Sequence, residues 1–198
     1  MEFLVGPTLR QMLKEKGSLP PPRALEILDG IVAAVEAAHR RRIVHRDLKP
    51  ENVILACGDA GEVPKVLDFG LARLLPTGEA SEHETATCAV VGTPRYMAPE
   101  QLTGGGADPS WDLWGLAVMA FEMLTGEHPL EGTGDRDWRG ALLAGRRRAA
   151  RLPMAEMSAS LDAFFSRALA AEKESRPQSP AELIRGLREA LAGPRAPD

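Results

Sequence analysis

The sequence predicts a mainly α fold with one small β-hairpin, an α+β arrangement built around helices. Three observations point there. Apolar residues recur at helical period between Thr8 and Arg42. The stretch "PSWDLWGLAVMAFEMLTG" is apolar on nearly all sides, the mark of a helix at the centre of a core. Strand character is confined to two short runs, "NVIL" and "PKVLDFG", separated by the turn-forming "ACGDAGEV".

Taken in chain order, "TLRQMLKEKG" predicts a short helix stopped by Gly17. From Pro22 to Arg42, Leu25, Leu28, Ile31, Val32, Val35 and Ala38 form one stripe, with prolines at the start and basic residues in the last turn. The hairpin follows. Residues 71–90 are polar and aperiodic, which predicts a mobile loop. Beyond the central apolar helix, weaker helical patterns run over Asp137–Arg148 and Leu161–Ala171. The last helix, Pro180–Leu191, has Ser179 as its cap, Pro180 in its first turn and Glu182 three residues after the cap. Residues 193–198, "GPRAPD", read as a linker or tail.

Composition narrows the function. With 44% hydrophobic and 26% charged residues in 198, the chain has enough apolar material for one good-sized core. A formal net charge of −4 argues against a nucleic-acid binder acting through bulk charge. Cys57 and Cys88 have no metal-ligand spacing and suggest no disulfide framework, so a reducing, cytoplasmic location is expected. No signal peptide is visible, and the apolar run Leu113–Leu124 falls short of the ~18 residues of a membrane span.

The chemistry concentrates in "IVHRDLKPENVIL", residues 43–55. An aspartate on a helix-to-strand connection can accept a proton from an approaching hydroxyl. A lysine two residues on can offset charge on a moving phosphoryl group, and an asparagine oxygen suits Mg²⁺. Asp68, after the second strand, is brought beside this loop by a hairpin. These features converge on phosphoryl transfer by positioning and electrostatics.

"HRDLKPEN", "DFG" and "APE" (Ala98–Glu100) occur in order, and the sequence resembles a eukaryotic-type serine/threonine protein kinase of the bacterial kind. The resemblance covers the large, C-terminal lobe from hinge to last helix, residues 1–192. It implies Asp47 as base, Lys49 on the transferred phosphate, Asn52 and Asp68 as magnesium ligands, and Thr93 shaping the substrate platform. It implies ATP and Mg²⁺ as cofactors, nucleotide contacts from Glu2, Leu4, Lys49, Glu51, Asn52, Ile54 and Asp68, and a protein substrate carrying serine or threonine. His45 and Phe69 match members of an apolar stack. Asp112 matches an aspartate that holds the catalytic-loop backbone, and Glu100 and Arg176 match a buried ion pair. Arg46, before the base, matches a partner for a phosphorylated activation segment, with Thr85 and Thr87 as candidate phosphosites. Ala117 stands where the family usually has glycine.

The resemblance begins at "MEF", which looks like the hinge. The family's glycine-rich loop, strand lysine and helix glutamate have no counterpart in these 198 residues. The expectations are therefore negligible activity for the isolated chain and an uncovered apolar surface near Met1–Leu4 and Ile54, open to self-association. The rival role is a non-catalytic kinase-like binding or decoy module. The run "GRRRAAR", Arg146–Arg151, is expected as a solvated helix face, and His83 and His128 as plain loop residues.

Overall fold

The computed structural model describes residues 4–58, 61–69, 94–102, 106–130, 147–150 and 155–193. Within these lie helices α1 (Leu9–Lys16), α2 (Pro21–Arg40), α3 (Pro109–Thr125), α4 (Ala155–Ala168) and α5 (Pro180–Ala192). A single antiparallel hairpin joins β1 (Val53–Gly58) to β2 (Gly61–Val66). The chain is mainly α with a small β element, as the periodicities predict.

Local chemistry sets the helix ends. Thr8 Oγ1 accepts the Gln11 N–H at 3.2 Å and Gln11 Oε1 accepts the Thr8 N–H at 2.8 Å, a reciprocal cap for α1. Asp108 accepts the Ser110 N–H at 2.8 Å to start α3, and Ser179 accepts the Glu182 N–H at 3.1 Å to start α5. Gly126 ends α3 at φ 76°, in the left-handed region.

Helix α3 is the axis of the core. Trp114, Leu116, Met119, Phe121 and Met123 are fully buried on it, and α2, α4 and α5 pack around it. Ala117 is also fully buried, as is Asp112, a charged residue on an otherwise apolar helix. Gly115 lets the helix approach the polypeptide at Leu48: a Cβ there would lie 2.8 Å from the Leu48 carbonyl oxygen.

The hairpin is longer than its turn-rich sequence suggests. Ladder pairing runs from Val53↔Val66 to Gly58↔Gly61, so "ACG" and "GEV" belong to strands. Residues 5–8 run along the other side of β1, where Leu55 N–H donates to Pro7 O and Cys57 N–H to Val5 O, both at 2.9 Å. Pro64 opposite Leu55 has no N–H to give, and Leu55 spends its own on Pro7.

Two helical expectations need correction. Helix α4 starts at Ala155, ahead of the apolar stripe that begins at Leu161, because Ala155, Glu156 and Met157 are good helix formers. Residues 147–150 are not helical: Arg147 forms an isolated bridge with Leu130, and Arg148 N–H donates to Pro129 O at 2.7 Å. Arg147 is no solvated helix face either. Its guanidinium reaches Asp162 Oδ1 at 2.8 Å and Ser166 Oγ at 2.5 Å, and tertiary partners override the local charge pattern. The mobile loop expected over residues 71–90 lies outside the described residues, as does most of the Asp137–Arg148 pattern. No helix among the described residues is long and apolar enough to cross a membrane.

Candidate active site

The site is assembled around Asp112. Its Oδ2 accepts the His45 N–H at 2.8 Å and its Oδ1 the Arg46 N–H at 2.9 Å. His39, at the end of α2, reaches the same Oδ2 through Nε2 at 2.8 Å. A buried carboxylate is tolerated when donors converge on it, and here they are the backbone of the loop that carries Asp47.

That loop is held in an uncommon conformation. Arg46 has φ 72° and Asp68 φ 55°, both left-handed and both unfavourable for residues other than glycine. Arg46 is fixed on both sides of its α-carbon: Asp112 takes its N–H, and Gln101 Nε2 donates to its carbonyl at 3.1 Å. Gln101 is tied in turn by the Ala98 N–H, which donates to its Oε1 at 2.7 Å.

His45 joins the two halves. Its Nε2 donates to Leu67 O at 2.7 Å, which leaves Nδ1 to accept the Asp47 N–H at 3.3 Å. Leu67 precedes Asp68, and its own N–H donates to Asn52 O at 2.8 Å. The ring of Phe69 stands edge-on to that of His45, centroids 4.9 Å apart.

Lys49 Nζ lies 2.7 Å from Asp47 Oδ2, and Asn52 Nδ2 donates to Asp47 O at 2.8 Å and to Asp47 Oδ2 at 3.2 Å. The Asn52 amide is thereby oriented, and Oδ1 is the atom left over for a cation. With the exposed Asp68 carboxylate this makes a small oxygen donor set. Among the described residues no three His, Cys, Asp or Glu cluster as a metal site. Two oxygen ligands, with the remaining positions left to phosphate and water, suit Mg²⁺ better than an all-protein cage would.

Glu100 and Arg176 form a bidentate pair, both contacts 2.8 Å. Arg176 is buried, it also donates to the carbonyls of Ala170 and Ala171, and it lies over the Trp114 ring at 4.9 Å. Burial opposes ionisation of Glu100, but hydrogen bonds from Arg176 and Ser110 prevail and hold its carboxyl below the usual range.

Leu4 is half-buried, and Ile54 is half-buried opposite Lys65 and bridged to Thr8. Glu51 pairs with Arg10 at 2.8 Å. Glu2, Thr93, Thr85 and Thr87 lie outside the described residues. Three residues of the site carry no motif: His39, Gln101 and Arg10. His39 falls four residues after Val35, on the buried stripe of α2, a weak signal; the other two have none. His128, expected as a plain loop residue, donates from Nε2 to Arg95 O at 3.0 Å and packs edge-on against Tyr96. Burial, reinforced by Arg95, holds its imidazole down at about 4.

Comparison with known proteins points one way. The family model described as "Protein kinase domain" matches residues 1–186. The serine/threonine-protein kinase PknL of Mycobacterium tuberculosis is 41% identical over 132 residues, covering 67% of this chain and 31% of that protein. PknB of the same organism is 37% identical over 186 residues, 92% of this chain and 28% of that one. Pkn2 of Myxococcus xanthus is 36% identical over 193 residues, 94% of this chain and 22% of that one. The chain therefore spans less than a third of the length of these relatives. Among solved structures, Rad53 1-466 in complex with AMP-PNP superposes with a TM-score of 0.72 over 96% of this chain and 46% of that one, at 24% identity. That likeness speaks to the fold.

Proposed function

The chain belongs to the protein kinase domain family, and on that premise we propose that residues 1–192 are the large lobe of a serine/threonine kinase. The reaction is transfer of the γ-phosphate of ATP to a protein serine or threonine hydroxyl. The observation that carries this reading is the convergence of Lys49 and Asn52 on Asp47.

In this reading Asp47 accepts the proton as the substrate oxygen bonds to phosphorus and the bond to ADP breaks. Its side chain is 39% exposed, so a hydroxyl can approach it. Lys49 stands between the base and the incoming phosphoryl group. Asn52 Oδ1 and the Asp68 carboxylate would hold Mg²⁺, which offsets phosphate charge when bound. Asp112, His39, His45 and Gln101 keep the base aimed. Thr93, Glu2, Leu4, Glu51 and Ile54 complete the proposed substrate and nucleotide contacts, and Thr85 and Thr87 the proposed phosphosites, with Arg46 as their partner.

These 198 residues by themselves contain no glycine-rich loop or strand lysine to grip the nucleotide's phosphates, so their proposed activity alone is negligible. Exposed Val5 and Val63, on opposite sides of β1, support self-association, which sedimentation of the isolated chain would measure. The test of function is radiolabel transfer from ATP to a serine/threonine peptide by the natural gene product, with and without Asp47→Asn. Transfer that survives the substitution unchanged would remove Asp47 from the chemistry. No transfer with Asp47 intact would favour a kinase-like binding module.

A further inference from the structure

A second polar hub lies beside the site, and no motif announces it. The guanidinium of Arg10, on α1, donates from Nε to Glu51 Oε1 at 2.8 Å and from Nη1 to Glu122 Oε1 at 2.7 Å. Its Nη2 reaches Glu122 Oε2 at 3.3 Å and the Tyr96 hydroxyl. Tyr96 donates in turn to Glu122. The partners lie 41, 86 and 112 residues along the chain from Arg10.

The positions of those partners give the hub its meaning. Glu51 is the middle residue of the 3-10 turn Pro50–Asn52, next to Asn52 itself. Tyr96 closes the turn Pro94–Tyr96 that follows Thr93. Glu122 stands on α3, the most buried helix, and Arg10 is anchored by buried Leu9, Met12 and Leu13. Two helices thus hold the turn that carries Asn52 and the turn that ends at Tyr96. A planar fork holds its five donors in fixed directions toward both carboxylates and the hydroxyl, a geometry that a lysine's compact ammonium does not reproduce.

We propose that Arg10 is a positioning residue, clamping the turn that carries Asn52 and the turn that follows Thr93 through Glu51, Glu122 and Tyr96. Glu51 Oε2 is buried with no partner among the described residues, and Arg10 is the cation that meets the other oxygen of this carboxylate. The bearing on catalysis rests on the phosphoryl-transfer reading above.

Amide hydrogen exchange tests the clamp without nucleotide. The Asn52 N–H donates to Lys49 O and the Val53 N–H to Pro50 O, so both amides report on the turn. Arg10→Met should speed their exchange about ten-fold, and Arg10→Lys should restore it only in part. Arg147→Met, which breaks a comparable pair with Asp162, should leave both amides at the unsubstituted rate. Tyr96 is the single tyrosine, so its ring resonances should shift in Arg10→Met.

Unchanged exchange at Asn52 and Val53 in Arg10→Met would overturn the proposal, as would equal acceleration by Arg147→Met. If Arg10→Met does not fold, Glu51→Gln decides: it cuts only the limb to the turn, and unchanged exchange there overturns the clamp. In the natural gene product, Arg10→Met should raise the Mg²⁺ concentration for half-maximal transfer, and an unchanged requirement would overturn the positioning role. Absence of transfer by the unsubstituted protein counts against the proposed function, because the exchange result stands apart from activity.

Discussion

Two charged constellations in this molecule share their chemistry and differ in their surroundings. Glu100 and Arg176 face each other with four hydrogen bonds from the guanidinium to protein acceptors, and Arg176 is buried over Trp114. Asp47 and Lys49 also face each other, but the Asp47 side chain remains more than a third exposed and is met by short, adjustable partners. A closed charge pair locks packing. An open one leaves a carboxylate lone pair within reach of an incoming hydroxyl. The teaching is that burial and completeness of partnering, more than charge itself, separate structural ions from chemical ones.

Breaking each pair should show that contrast. Arg176→Met should produce the largest loss of stability, about 3–5 kcal/mol, because Glu100 is left half-buried without its guanidinium partner. Urea denaturation should record it. Asp47→Asn should do the reverse: transfer by the natural gene product falls by about 100- to 10,000-fold while the unfolding midpoint barely moves. If Asp47→Asn destabilised the fold as much as Arg176→Met, the distinction between closed and open pairs would collapse.

The comparison sharpens with pH. His128 is held neutral at about 4 against an ordinary 6.5, so between those values the unfolded chain binds the proton more readily. Its contribution is fully present above pH 6.5 and is lost as pH falls toward 4, on the order of 2–3 kcal/mol in all. Glu100, held low, loses its contribution only below the ordinary carboxylate range. Denaturation at pH 7 and pH 5 should therefore differ in the parent and much less in His128→Gln. A smaller effect is expected from an exposed pair: Arg188→Ala, which breaks the contact with Asp29, should cost about 0.2–1 kcal/mol and weaken with salt.

What could be read from residues alone follows the range of the interactions. The Ser179 and Gly17 signals concern groups within four residues of one another, and each appears where its pattern puts it. The central helix declared itself by being apolar all round. Patterns failed where partners were remote: Arg147 follows Asp162 and Ser166 out of the helical face that its neighbours suggested. His128 found Arg95 and Tyr96 for the same reason.

The site divides along that line. Sequence by itself located the proposed chemistry, because the proposed base, phosphate contact and one metal ligand stand within "DLKPEN", and the hairpin returns the chain to Asp68. Tertiary structure alone decided what aims them. Asp112 reaches the His45 and Arg46 amides from 67 and 66 residues away, Gln101 reaches Arg46 across 55, and Arg10 reaches Glu122 across 112. A hydrogen bond or ion pair needs atoms within about 3 Å, and only the packed fold brings such distant residues to that range.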